Sequence, residues 1–432
     1  MLISDNLKKL SKIFHKHSPL YVVGGYVRDF LLNKPSFDID ICSELSADET
    51  VKLLEGTEFK TIAVNKKIGT LLIVKDDEKY EYTSFRKDNY ALDGKHLPLS
   101  AEFKVKLSDD ILRRDFTVNA LYFDIRTGEI IGDLRGESDI KVKILRTVKN
   151  PDIVFKEDSL RIFRMLRLAC LSDFDIENET FEKAEKNSYL INSLSSERIV
   201  EELRKFVEDK ECDRRKFDRY IDLLYRLNIL GVWYDAVPEP LGIDVKIKSF
   251  PSRVEYIYLC FFEKYFSYLL KDCLDGVRIN SIDDIAAVNI RITDKLNYFF
   301  VRDRLKKETK KFIVKAIAFF EISAMCAYEN TAADLCIIYY YDIINTIVYI
   351  DDAVDCNGMV FLEKLIQRLD YLKRNKLPLK LSELNVSAQK LLQIGIPCNA
   401  LQKTLRRLLE AAVLEKVENN ENKLTEYLKE LR

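Results

Sequence analysis

Hydrophobic positions along this chain change character part-way. Between residues 20 and 125 they come in short runs, Leu20 to Val23, Thr61 to Val64, Thr70 to Val74 and Tyr80 to Phe85, divided by polar stretches. Runs of this length and alternation predict strands. Leu7, Leu10, Ile13 and Phe14 sit at helical spacing within residues 1–19, and Ala47 to Leu54 reads as a second helix with Ser46 as its N-cap. Beyond residue 150 Leu, Ile, Lys and Glu dominate, and only thirteen Gly and nine Pro occur in the whole chain, which predicts helix there. The fold class is mainly α with an N-terminal α+β unit, a small sheet with helices on one side.

Composition narrows the possibilities. At 432 residues, 47% hydrophobic and 32% charged, the chain is long enough for two to four domains with real cores. A net charge of -1 excludes a uniformly basic nucleic-acid coat, so any RNA contact needs charge gathered on one face. Nine scattered cysteines without a Cys-x-x-Cys pair fit reduced core thiols, not a zinc site or a disulfide framework. The three histidines, His15, His17 and His96, all lie in the first quarter, which excludes a histidine-rich metal centre in later domains. The most apolar stretch, Ile337 to Ile350, is interrupted by Asp342 and Asn345, so a membrane role is not expected. The expected compartment is the cytoplasm, and no protein partner is evident.

Chemistry concentrates in YVVGGYVRDFLLNKPSFDIDIC, Tyr21 to Cys42. Asp38 and Asp40 are two apart on a strand and therefore project to one side. Paired carboxylates are costly to hold ionised unless a cation sits between them, as hard divalent ions do. Gly24 and Gly25 give a turn without Cβ atoms where backbone N–H groups can approach a phosphate, and Arg28 can neutralise it. The combination resembles the first motif of the class II template-independent nucleotidyltransferases, the family of bacterial tRNA CCA-adding enzymes and poly(A) polymerases. That motif reads Gly-Gly-x-x-Arg-Asp followed by Asp-x-Asp, present here as Gly24, Gly25, Arg28, Asp29, Asp38 and Asp40.

Further stretches carry the resemblance along the chain. Glu81 stands where the family has Glu-x-Thr-Thr-Phe, which makes it a candidate third catalytic carboxylate, with an edge-strand acid as the alternative. Arg86 to Pro98 resembles the flexible loop that helps such enzymes switch from C to A addition, with Lys95-His96-Leu97-Pro98 in place of Arg-Arg-Pro. LRRDFTVNAL, Leu112 to Leu121, matches the second motif: Arg113 and Arg114 offer donors to a triphosphate, and Asp115 and Asn119, sharing a helical face, offer groups to a ribose. Gly132 to Arg146 resembles the hinge between head and neck.

Phe155 to Phe174 reads as one helix that brings Asp158 and Arg161 onto one face and continues through Arg164 and Arg167, all counted as nucleotide-binding. A rigid Asp and Arg present an acceptor and a forked donor to a base edge, and Glu157, Asp158 and Arg161 match the family's Glu-Asp-x-x-Arg. Ser196 to Val207 reads as a structural neck helix with a Ser cap. Arg302 to Lys311 puts six cations in ten residues, read as a solvated helix face, with an RNA grip as the alternative. DAVPEPLGIDV marks a break near 235–245, and Leu381 to Leu428 resembles the tail of Gram-positive-type CCA-adding enzymes.

The resemblance implies a polymerase-beta-like catalytic head at 1–140, a base-recognising neck at 141–210, a helical body at 211–325 and a tRNA-binding tail at 326–432. It implies addition of C and A to the tRNA 3′ end and acceptor arm from CTP and ATP, with two Mg2+ ions held by Asp38 and Asp40. A poly(A) polymerase or an enzyme adding only CC or only A is the alternative within the family. A non-catalytic RNA-binding module is the alternative outside it, disfavoured by the intact Asp38 and Asp40.

Overall fold

The computed structural model describes residues 3–36, 38–234, 246–247, 273–274, 276–303, 305–326, 329–348, 354–355 and 360–430. The chain divides into two compact units, Met1–Asp235 and Ala236–Arg432. The proline-rich break expected near 235–245 lies outside the described residues.

The first unit opens with α1 (Asp5–Phe14), capped by Ser4, whose hydroxyl accepts the Leu7 N–H at 3.1 Å. Then come β1 (Tyr21–Val23), α2 (Gly25–Leu31), β2 (Ile39–Ser43) and α3 (Ala47–Leu54). Ser46 caps α3 as expected, in a reciprocal box with Glu49. β3 (Lys60–Asn65), β4 (Thr70–Lys75) and β5 (Glu78–Ser84) come next, then a separate antiparallel ribbon of β6 (Arg86–Asn89) and β7 (Ser100–Phe103). After α4 (Leu107–Leu112), β8 (Leu121–Asp124) and β9 (Ile130–Gly132) complete a seven-stranded sheet ordered β3-β4-β5-β2-β1-β8-β9. Only the β2–β5 pair within it is parallel; the other pairs are antiparallel.

The two faces of this sheet differ. Tyr80, Tyr82 and Ser84 of β5 are buried on the face where Phe14 of α1 meets Tyr82, with ring centroids 5.8 Å apart. On the opposite face Tyr21, Val23, Cys42, Phe85 and Tyr122 form a core on which Leu107 and Ile111 of α4 pack. Helices therefore cover both faces, where the sequence suggested one. Asp40 precedes Cys42 by one pleat on the face that α4 covers, so the acid strand runs from that core out to an exposed end.

The remainder of the first unit is helical: α5 (Gly136–Val142), α6 (Pro151–Glu157), α7 (Leu160–Leu171), α8 (Asn178–Lys186), α9 (Ser196–Val207) and α10 (Arg214–Arg226). Gly132 and Gly136 are packed tightly: Cβ atoms there would collide with the backbone of Ala120 and with Thr117 and Leu121. Close approach is reason enough for both glycines. In the second unit helices span Ile282–Arg302, Lys307–Cys326, Asn330–Tyr339, Val360–Arg374, Leu401–Val413 and Glu421–Glu430. The buried Asp334 accepts from Arg368 at 2.6 and 2.7 Å. Among the described residues of Arg302 to Lys311 the cations do not share one helix, because Asp303 caps the first helix at Arg302 and the next begins at Lys307. Among the described residues no helix is long and apolar enough to cross a membrane.

Candidate active site

The parallel register sets Asp40 directly opposite Glu81. Asp38, Asp40 and Glu81 are all exposed. Desolvation by the surrounding protein and the facing Glu81 push the Asp40 carboxyl up to about 6, with Asp38 adding to the push and Arg114 and Arg164 opposing it. Gly24 closes one side with φ +74° and ψ -132°, a conformation that L side chains rarely adopt. A Cβ on it would stand 3.7 Å from Arg114 Nη1 and 3.8 Å from Asp40 Oδ2, so this turn lies against both the acid and the arginine.

Among the described residues no three His, Cys, Asp or Glu side chains are gathered closely enough to hold a metal ion. The acids nonetheless suit a hard divalent cation, since Mg2+ is commonly held by one or two carboxylates together with substrate phosphates and water. The donor set supports the fit: Asp40 and Glu81 stand opposite each other in register on neighbouring strands, and Asp38 lies one pleat before Asp40, all of them oxygen ligands of the kind hard cations take.

A hydrogen-bonded chain joins the head to α7. Arg28 donates to Asp29 Oδ1 at 2.9 and 2.7 Å and, through Nη1, to Asn119 Oδ1 at 2.7 Å. Asn119 donates to Asp115 Oδ1 at 3.2 Å, and Arg164 donates to Asp115 Oδ2 at 2.8 and 2.6 Å. Burial alone would raise the Asp115 carboxyl, yet Arg164, with Arg161 and Asn119, holds it far below the usual carboxylate range. Asp115 and Asn119 do meet, although not as neighbours on a helix. α4 ends at Leu112; Phe116 then bridges to Thr147, and only Thr117–Asn119 make a short 3-10 turn. The Asp115 carboxylate itself accepts the Phe116 N–H at 2.8 Å, a local bond that competes with helix.

Phe155 to Phe174 is likewise not one helix. The backbone at Asp158 is extended, with φ -155°, and α6 stops there before α7 begins. Its carboxylate accepts the Leu160 N–H at 2.9 Å, fixing the break. Asp158 and Arg161 are each 5% exposed and lie 3.9 Å apart, and both have other partners. Arg161 donates to Glu157 at 3.1 Å, to the Val154 carbonyl at 3.3 Å and to the Arg113 carbonyl at 2.8 Å, and its guanidinium sits 5.7 Å from the Tyr90 ring. Asp158 meets His96 Nδ1 at 3.0 Å. The segment Tyr90 to Leu99 is thus docked on the α6–α7 junction, where Gly94 donates to the Lys156 carbonyl at 2.8 Å and accepts the Ser159 N–H at 3.0 Å.

Arg113 faces a cavity of about 430 Å3 that Tyr90, Lys149 and Glu157 also line. Arg167 turns away to Glu202 on α9 at 2.8 Å and serves the α7–α9 contact. Asp110 and Tyr122, which sequence reasoning passed over, both hold Arg114: Tyr122 accepts from its Nε at 2.6 Å and Asp110 from its Nη2 at 3.2 Å. The signal was available, since Asp110 precedes Arg113 and Arg114 by three and four residues, the spacings at which helical neighbours meet.

Against known proteins, residues 20–146 match the family described as "Poly A polymerase head domain", and residues 173–233 match "Probable RNA and SrmB- binding site of polymerase A". Over residues 20–146 the chain is similar to the head domain of the poly(A) polymerase family. A CCA-adding enzyme of Streptococcus uberis is 39% identical over 196 residues, 45% of this chain and 47% of that one. One of Bacillus pumilus is 38% identical over 201 residues, 46% of this chain and 49% of that one. The chain spans about half the length of the curated relatives it matches. Among solved structures, the Bacillus stearothermophilus CCA-adding enzyme in complex with CTP aligns with a TM-score of 0.61 at 21% identity, over 99% of this chain and 98% of that one. The Thermotoga maritima CCA-adding enzyme complexed with tRNA gives 0.62 at 20%, over 100% and 97%. At these identities the likeness concerns the fold alone.

Proposed function

We propose that this chain adds C and A nucleotides to the 3′ end of tRNA from CTP and ATP, without a template and with release of pyrophosphate. The observation that carries the reading is the set of acids in the cleft: Asp40 in register with Glu81, Asp38 one pleat earlier, and Gly24 and Arg114 against Asp40. The relatives named CCA-adding enzymes support it over the matched half.

In this reading Asp38 and Asp40 hold two Mg2+ ions. When bound, such ions lower the pKa of an attacking hydroxyl and neutralise a departing pyrophosphate. The chain's own residues do the rest. Asp40 and Asp38 keep a concentrated negative charge at the cleft mouth, and Glu81 strengthens it from the next strand. Gly24 and Gly25 admit the triphosphate to the backbone, while Arg28 and Arg114 offset its charge, with Arg113 behind them. Asp115 and Asn119, fixed by Arg164 and Arg28, present oxygen and amide groups to the ribose. Asp158 and Arg161 select the base, and because both are already paired, selection requires them to exchange His96, Glu157 or carbonyl partners for a base edge.

A poly(A) polymerase is the second reading within the family. One experiment separates them: the purified chain with Mg2+, tRNA lacking its 3′ end and each labelled nucleotide singly and together. CCA addition predicts incorporation of C, then of a single A only after C. Long A tracts would support the polymerase, and no incorporation with any nucleotide would remove both.

A further inference from the structure

Asp110 takes no part in the chemistry proposed for the cleft, yet it is fully buried and accepts four hydrogen bonds from three parts of the chain. Arg113 Nε donates to its Oδ1 at 2.7 Å and Arg114 Nη2 to its Oδ2 at 3.2 Å. Tyr122 Oη, from β8, donates to Oδ2 at 2.5 Å, and the Arg86 N–H, at the start of β6, donates to Oδ1 at 3.2 Å. Tyr122 completes a closed triangle, since it also accepts from Arg114 Nε at 2.6 Å and places its ring 4.8 Å from that guanidinium. Burying a carboxylate is costly, and the two arginines and the tyrosine hydroxyl more than offset that cost. A guanidinium gripped at Nε and Nη2 has one end left, and Arg114 Nη1 is the end that lies beside Gly24.

We propose that Asp110 is a positioning residue. It fixes Arg114, through Tyr122 and directly, so that Nη1 points at the nucleotide phosphates, and it ties that aim to Arg113 and to the root of the β6–β7 ribbon. The inference rests on Arg114 being a phosphate-binding group of the proposed site. A merely structural carboxylate would affect how much protein folds; a positioning one alters how the folded protein holds phosphate.

The test uses the full chain with Asp110→Asn and Tyr122→Phe, measuring equilibrium affinity for CTP, ATP and inorganic triphosphate, and KM and kcat for C addition to tRNA lacking its 3′ end. Asp110→Asn is expected to weaken all three affinities and raise KM by about tenfold, with kcat changing by less than about threefold. Tyr122→Phe, which keeps the ring, should weaken them by about threefold, the scale of one hydrogen bond. Thermal melts establish that each variant is folded, and if Asp110→Asn fails to fold, Tyr122→Phe decides by the same criteria. Unchanged or tighter triphosphate binding in a folded variant overturns the proposal. Wild-type protein that binds neither CTP nor ATP would instead overturn the reading of the cleft itself.

Discussion

The acid cleft and the α6–α7 junction treat charge in opposite ways. At the acid strand Asp40 stands in register with Glu81, and desolvation first and the facing Glu81 second push its carboxyl up to about 6. At the junction Glu157, Asp158 and Arg161 are buried, and Arg161 has four polar neighbours, Glu157, Asp158 and two backbone carbonyls. A desolvated carboxylate facing a second acid gains from a cation, whereas a satisfied network is a rigid shape that yields only to a ligand offering equivalent bonds. The contrast fits the roles proposed above, chemistry for the first region and selection for the second.

Removing the acids should show the largest effect. Asp38→Ala or Asp40→Ala is expected to cut nucleotide incorporation to less than about one hundredth of wild type, followed with labelled CTP. Neither should lower the melting temperature, because each removes a repelled group. The corresponding Arg161→Ala should destabilise the protein by about 2–3 kcal/mol, since it takes a buried donor from Glu157 Oε2 and from the Val154 and Arg113 carbonyls, although Lys149 still donates to Glu157 Oε1. Equal melting temperatures for Arg161→Ala and Asp40→Ala would erase the comparison.

Glycine replacement of residues 89–95 should spare C incorporation and slow the final A by about tenfold, because it removes the Tyr90 ring that packs on Arg161 at the junction and loosens the segment. Equal loss of both would point to misfolding, and a melt would show it. Glu81→Gln should slow C addition by only a few-fold at low Mg2+ without altering nucleotide choice, as expected of a neighbour in register with Asp40. An unchanged rate there would make Glu81 an edge acid.

The smallest effect concerns pH. A folded-state pKa raised above the unfolded value means the folded protein binds the extra proton, so this group costs stability as pH rises from the ordinary aspartate range through about 6. In metal-free buffer Asp40→Asn should therefore melt slightly above wild type at pH 8, and the gap should close by pH 4. A gap that widens on acidification would contradict the crowding.

Much of this was legible in the sequence because it is written in spacing. The runs Thr70 to Val74 and Tyr80 to Phe85 became β4 and β5 nearly residue for residue, and Asp38, Asp40, Gly24 and Arg28 were visible from one motif. What was hidden depends on partners far along the chain. RKDN offers no apolar alternation, so β6 looked like loop; its pairing with β7 supplies what its side chains do not. The break at Asp158 was masked by an unbroken apolar stripe on either side, and Asp115 and Asn119 were right as a pair for a wrong reason, a turn instead of a helix. That Arg167 serves Glu202 comes from the packing of α9, which no local pattern announces.

The division of labour is tested most directly by one competition assay, in which all four nucleotides are offered to wild type, Asp40→Ala and Arg161→Ala on tRNA lacking its 3′ end. Each good bidentate contact contributes roughly 1–3 kcal/mol of discrimination, about tenfold to a hundredfold in selectivity. Asp40→Ala should incorporate none of the four, and Arg161→Ala should still turn over while accepting UTP or GTP better by that factor. Arg161→Ala that keeps the wild-type preference for C and A, or Asp40→Ala that retains turnover with altered choice, would contradict the account.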